Sequence, residues 1–387
     1  MPVDVSTSNA ATGASSLPRK ISASAMNHPH ATIEILGKDL SQEDIVALQA
    51  VAFRVVAVRQ FAVLQSSLTR LAAPPDMTAG SALALARKLR PSRQFEPNDL
   101  YLAAHARFRV TDSPCGRACK ALEMTRWEPQ YGRCAVGARI GVIDTAIDES
   151  HPALRRSRLQ ILSTRSEDRA PSKAEHGTGI VSLLVGELGG DFAALVPGAS
   201  VIAVDAFHSS KTGDSADVFD LIAALDILSA REIDVINMSL SGQDNRFLRT
   251  AIERVRNKGI VLVAAAGSEG GSPDVGFPAR YANVVAVSAI GETFEPARGG
   301  VQGNHIAFAA PGSGISVAMP DSLFGFADGT SFATPFVTAA YAMTLRLLND
   351  REQATRLITS GVRDLGVVGR DNAFGWGLVQ YTVMPPC

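Results

Sequence analysis

Two textures of hydrophobic patterning divide the chain. From Ala138 onward, apolar runs built from Val, Ile and Ala stand without polar alternation: ARIGVID, SVIAVDAF, DVINMSLSG, GIVLVAAAG and NVVAVSAI. Runs of that kind are strands buried on both faces, the signature of a parallel sheet covered by helices. Most alternate with segments apolar at helical spacing, GTGIVSLLVGEL, DVFDLIAALDILSARE and RFLRTAIERVRNKG. The alternation predicts an α/β domain over residues 138–387, doubly wound about a mostly parallel sheet. Ligand sites in such folds collect where strands end and the following helices begin.

Residues 31–105 pattern differently. ATIEIL alternates as a strand, and SQEDIVALQAVA opens with a Ser-x-x-Asp capping signature ahead of helically spaced apolar residues. FRVVAV, FAVLQSSLTRLA, a second capped helix TAGSALALARKL and the extended RQFEPNDLYLAA follow. The order β-α-β-β-α-β is the split βαβ arrangement of small ferredoxin-like α+β domains. Residues 1–30 are small, polar and aperiodic, and read as a disordered leader. Residues 106–137 hold three cysteines and little periodicity, and read as a linker.

Composition narrows the class without naming a function. At 387 residues, 46% hydrophobic and 19% charged, the chain is an ordinary globular sequence too long for one core. A formal net charge of −1 gives no overall field toward nucleic acid or an anionic membrane. No apolar run is long enough to span a bilayer. The leader has no basic region followed by an apolar stretch, so no signal peptide is visible. The four cysteines are Cys115, Cys119, Cys134 and Cys387. Their spacing does not match a zinc knuckle, which leaves a disulfide within 115–134 and free thiols both open.

Three residues fall where an α/β fold places its chemistry. Asp144 ends the strand RIGVID, His176 opens an apolar helix in EHGTGIVSLLVG, and Ser331 stands at the mouth of DGTSFATPFVTAAYAMTLRLL. Taken singly, each has an ordinary reading: a turn carboxylate, a packed imidazole, and a helix-capping hydroxyl with Pro335 harmless near the helix start. Taken together they meet a chemical need. A serine hydroxyl is a poor nucleophile until a base accepts its proton and a third group orients that base.

The blocks IGVIDTAID, HGTGIVSLLVG and GTSFATPFVTAA, in that order, resemble the three signature segments of the subtilisin-like serine peptidases, the subtilases. DVINMSLSG, VLVAAAGSEGG, FPARYANVVAVSAI, AAPGSGI and FGWGLV resemble further family segments in family order. The resemblance implies a subtilisin-like fold and a serine endopeptidase that takes protein or peptide substrates and needs no cofactor. It implies Ser331 as nucleophile, His176 as general base and then acid, and Asp144 as the group that orients the imidazole. Ser239, Leu240 and Ser241 would line one side of the substrate cleft. Ala265, Ala266 and Gly267 would form the opposite wall and the floor of the pocket before the cut. The first unit resembles a subtilase propeptide, with FEPNDLYLAAHA as its final strand and tail. The chain would then be a zymogen that cuts itself after about Leu102 and keeps its propeptide as a transient inhibitor. Export to the periplasm or beyond would follow from the same resemblance.

The chain departs from the family in two places. Gly179 stands where a second histidine is usual, outside the relay. Ser268 stands where the family typically carries an asparagine that donates to the oxyanion, and loss of that donor lowers turnover by roughly 10²–10³. An alternative reading follows: a scaffold that binds peptides, or cuts only itself, with catalysis weakened at Ser268. After the His176 helix only Glu187 and Asp191 offer carboxylates, too few for calcium, and no metal site is assigned.

Overall fold

The computed structural model describes residues 33–103, 107–111, 119–188, 192–210, 213–267, 275–297 and 300–383. The leader, Cys115, Asp191, Ser268 and Cys387 lie outside the described residues.

The first unit runs β1 (Glu34–Lys38), α1 (Gln42–Gln49), β2 (Arg54–Phe61), β3 (Ser66–Ala72), α2 (Ala79–Leu89) and β4 (Gln94–Pro97). Its capping signature is realised: Asp44 N–H donates to Ser41 Oγ, and the Asp44 carboxylate accepts from Ser41 N–H at 2.8 Å. The strands form one antiparallel sheet in the order β2-β3-β1-β4. Because strand side chains alternate between faces, Ile35 and Leu71 pack beneath the helices with Leu48, Ala82 and Phe95. Leu36 and Leu68 face the other way, into the core of the larger domain. Phe61 meets Phe219 edge-on at 5.2 Å there.

Two short strands come next, β5 (Leu100–Ala103) and β6 (Arg107–Thr111), followed by α3 (Lys120–Met124). The stretch read as a linker, residues 106–137, carries β6 and α3 and packs. Ala121, Leu122, Trp127 and Ala135 are buried in the main core, and the Trp127 indole donates to Leu195 O at 3.0 Å. Cys119 and Cys134 are both disulfide-bonded. Apolar residues too few to show a period still dock when a larger surface receives them.

The large domain contains β7 (Arg139–Asp144), β8 (Arg158–Ser163), α4 (Glu175–Val185), a small hairpin β9 (Glu187–Leu188) and β10 (Phe192–Ala193), β11 (Ser200–Asp205), β12 (His208–Ser210) and β13 (Gly213–Asp217). It continues with α5 (Val218–Ser229), β14 (Val235–Met238), β15 (Leu240–Gln243), α6 (Arg246–Asn257), β16 (Val261–Ala265), β17 (Val275–Phe277) and β18 (Val285–Ile290). The last elements are β19 (Ile306–Pro311), β20 (Ile315–Met319), β21 (Leu323–Asp328), α7 (Thr330–Leu348) and α8 (Arg351–Ser360). Seven parallel strands make the central sheet, ordered β19-β18-β16-β14-β7-β11-β8. α4 and α7 cover one face and α5 and α6 the other, which is why these strands lack polar alternation. Strand order reverses between β7 and β14, the point at whose carboxyl ends sheets of this kind gather their ligand sites. DVINMSLSG, which reads as one strand, splits at Ser239 into β14 of this sheet and β15 of another. That second sheet has the order β12-β13-β5-β15-β17, and a third has β20-β21-β6. Among the described residues, no helix is long and apolar enough to cross a membrane.

Candidate active site

The candidate site begins at the last residue of β7. Asp144 is buried, and its Oδ1 accepts from Thr145 N–H at 2.8 Å. The same oxygen lies 2.6 Å from Nδ1 of His176, the second residue of α4. This contact fixes the imidazole's orientation and leaves Nε2 buried without a hydrogen-bond partner among the described residues. The tip of α4 is stitched to the loop after β7. Gly177 N–H donates to Thr145 Oγ1 at 2.9 Å, and Asp148 N–H to Thr178 Oγ1 at 2.8 Å. A Cβ at Gly177 would sit 2.6 Å from the carbonyl oxygens of Thr145 and Ala146. Only glycine lets the helix come this close.

Ser331 is the second residue of α7, and the helix cap is not this serine but Gly329, which makes no side-chain cap. Gly329 turns the chain from β21 into the helix with φ of +145°, a region that L side chains rarely enter. Ser331 Oγ donates to Ser239 O at 3.2 Å, and Ser239 Oγ donates back to Ser331 O at 2.9 Å. Behind them Thr338 Oγ1 donates to Asn237 Oδ1, whose Nδ2 donates to Ser239 Oγ, both at 2.9 Å. The next residue, Phe332, lays its ring 5.4 Å from the His176 imidazole, which brings the serine's turn of helix against the histidine. Gly179 makes room for that ring, since a Cβ there would stand 3.2 Å from it.

The expected cleft residues separate by role. Leu240 and Ser241 lie in β15 and pair with Ala103 and Leu102 of β5. Ser239 is fully buried, and its side chain holds the backbone of Ser331. Ala265 and Ala266 are fully buried at the end of β16. Gly267 faces Ser241, whose Oγ would be 3.6 Å from an added Cβ, and its carbonyl accepts from Thr330 Oγ1 at 3.2 Å.

Two features escaped the sequence reading. β13 pairs with β5 from the side opposite β15, through Ser215↔Leu102 and Ala216↔Tyr101. Its sequence, GDSAD, carries no strand signal. Asp205 ends β11 in register with Asp144, and burial pushes its carboxyl up to about 6, with the Asp144 charge adding to the rise. Its signal was visible, as a second Asp closing an apolar strand, SVIAVD.

Residues 136–377 match the sequence model of the Subtilase family. The chain is 32% identical over 251 residues to the minor extracellular protease Epr of Bacillus subtilis, covering 63% of this chain and 38% of that protein. It is 32% identical over 221 residues to subtilisin E of Bacillus subtilis, covering 55% of this chain and 57% of that one. It therefore spans less than two thirds of either relative. The fold is similar to fervidolysin from Fervidobacterium pennivorans, described as a keratinolytic enzyme related to subtilisin. That match has a TM-score of 0.74 at 19% identity and covers 92% of this chain and 61% of that one.

Proposed function

The chain belongs to the subtilase family, and on that premise we propose that it is a serine endopeptidase made as a self-processing precursor. Ser331 attacks the peptide carbonyl while His176 Nε2 takes the hydroxyl proton and later delivers it to the leaving amine. Asp144 holds Nδ1 protonated and stabilises the imidazolium. Negative charge on the carbonyl oxygen develops at the start of α7, where the helix dipole favours it.

The observation that carries this reading is the path of the chain's own strands. β5 is held between β13 and β15 as an extended peptide, ending at Ala103 opposite Leu240, one residue on from Ser239. β6 begins at Arg107 opposite Asp328, three residues before Ser331. A strand added between two edges is how a cleft binds an extended substrate through its backbone. The bond to be cut lies between Ala103 and Arg107. Residues 33–103 then act as the intramolecular inhibitor, docked through a buried ion network. In it Arg169 pairs with Glu34 and Asp217, each at 2.9 Å, and Arg70 pairs with Glu34 at 3.0 Å.

Purified precursor and its Ser331→Ala variant, compared by intact mass and fluorophosphonate labelling, test the proposal. The parent sheds a fragment ending between Ala103 and Arg107 and takes the label, and the variant does neither. A parent that stays whole and unlabelled refutes it.

A further inference from the structure

The third sheet gives the cleft a second side. β6 pairs antiparallel with β21 from Asp328↔Arg107 to Phe324↔Thr111, so it runs away from Ser331 on the side where the leaving half of a cut chain would lie. Successive residues of β6 meet different surroundings. Phe108, opposite Ala327, turns inward and meets Phe332 edge-on, with ring centroids 5.7 Å apart and planes at 86°. Phe332 is itself buried against the His176 ring. Arg109 turns outward, and its guanidinium lies 3.6 Å from Asp328 Oδ2, diagonally across the ladder. The other oxygen of Asp328 accepts from Gly314 N–H at 2.7 Å, which fixes the carboxylate's direction. At Gly325 the β6 backbone approaches so closely that a Cβ would stand 2.9 Å from Arg109 O.

We propose that β21 reads the leaving-group side of substrates by side chain, with Phe332 seating an aromatic residue at the Phe108 position and Asp328 selecting a basic one at the Arg109 position. The inference rests on the peptidase reading above. It adds that recognition extends well past the cut, where backbone pairing alone would accept any sequence. The aromatic contact is largely shielded and carries most of the selectivity. The Arg109–Asp328 pair is partly exposed and screened, so its share is smaller.

The test uses the processed protein and quenched peptides carrying the sequence 99–111, DLYLAAHARFRVT. Replacing Phe108 by Ala in the peptide lowers kcat/KM about tenfold. Replacing Arg109 by Gln lowers it about threefold. In the D328N protein the Arg-to-Gln ratio falls to about one while the Phe-to-Ala ratio persists. Equal cleavage of all three peptides by the parent protein overturns the proposal, as does an Arg-to-Gln ratio unchanged in D328N. If no peptide is cut and no fluorophosphonate label is taken, the peptidase reading fails and this inference falls with it.

Discussion

Ser239 donates its hydroxyl to the backbone carbonyl of Ser331 at 2.9 Å. That carbonyl would ordinarily accept from the N–H four residues on, but the residue there is Pro335, which has none. The proline is therefore not idle near the helix start. It frees an acceptor on the serine itself, and a residue from the end of β14 takes it. The start of α7 is thereby tied to the central sheet.

Removing the Ser239 hydroxyl leaves that carbonyl buried and unpaired. S239A is expected to lose about 1–3 kcal/mol of stability by denaturant unfolding. Adding P335A restores a helical N–H, so the double variant is expected to lose less than the sum of the two single losses. Strict additivity would show that the two residues do not share the acceptor.

Gly177→Ala forces the start of α4 off the carbonyl oxygens of Thr145 and Ala146 and carries His176 with it. Misplacement of a catalytic group by about 1 Å can cost on the order of 10² in rate. The rate of fluorophosphonate labelling should fall by about that factor. A labelling rate within twofold of the parent would show that the site does not need this approach.

Tyr101 is fully buried in the cleft, where its hydroxyl donates to Gln243 O and its ring lies over Gly242. Tyr101→Ala should weaken retention of the released fragment by about 3 kcal/mol, and Tyr101→Phe by about 1 kcal/mol. Inhibition constants of the fragments against the processed protein measure both, and equal values for all three would dismiss Tyr101 as an anchor.

Docking of the first unit should depend on pH through Asp99. Burial pushes its carboxyl up to about 6, helped by Glu96 and Asp244 and opposed by the hydrogen bond from Asn245. Docking therefore favours the protonated form. It is strongest below the ordinary carboxylate value near 4 and weakens as pH rises through about 6. Gel filtration of the processed mixture across that range should show release increasing with pH, and D99N should flatten the profile. A parent whose release does not change between pH 4 and 7 would falsify this assignment.

Ser268→Asn restores a longer donor at the oxyanion position that the family pattern assigns. Turnover should rise by at least about tenfold with little change in KM. An unchanged rate would mean that another group already supplies the hydrogen bond.

Most of the central architecture could be read from sequence, because apolar Val-Ile-Ala runs and helical spacing are set by what must be buried. The capping box at Ser41 and five of the seven core strands rest on local rules, whereas RLQILS and IAFAAP become β8 and β19 only by joining the two edges of the sheet. The cleft was less legible. GDSAD and RFRVT form strands only because an edge elsewhere in the chain receives them, and the division of DVINMSLSG at Ser239 depends on two sheets diverging there. Asp205 reads as a strand end, yet its raised titration comes from burial beside Asp144, a neighbour sixty-odd residues away.

The sequence by itself set Asp144, His176 and Ser331 at strand ends and helix starts, and the resemblance of the blocks around them to subtilase segments made them the candidates for the chemistry. Tertiary structure decided what surrounds them. Pairing of β5 and β6 with distant edges, the Ser239–Ser331–Pro335 arrangement and the Phe108–Phe332–His176 stack all join residues far apart in the chain. Their hydrogen bonds and ring contacts form only after the sheets close, and no local period encodes which edge a short polar strand will find.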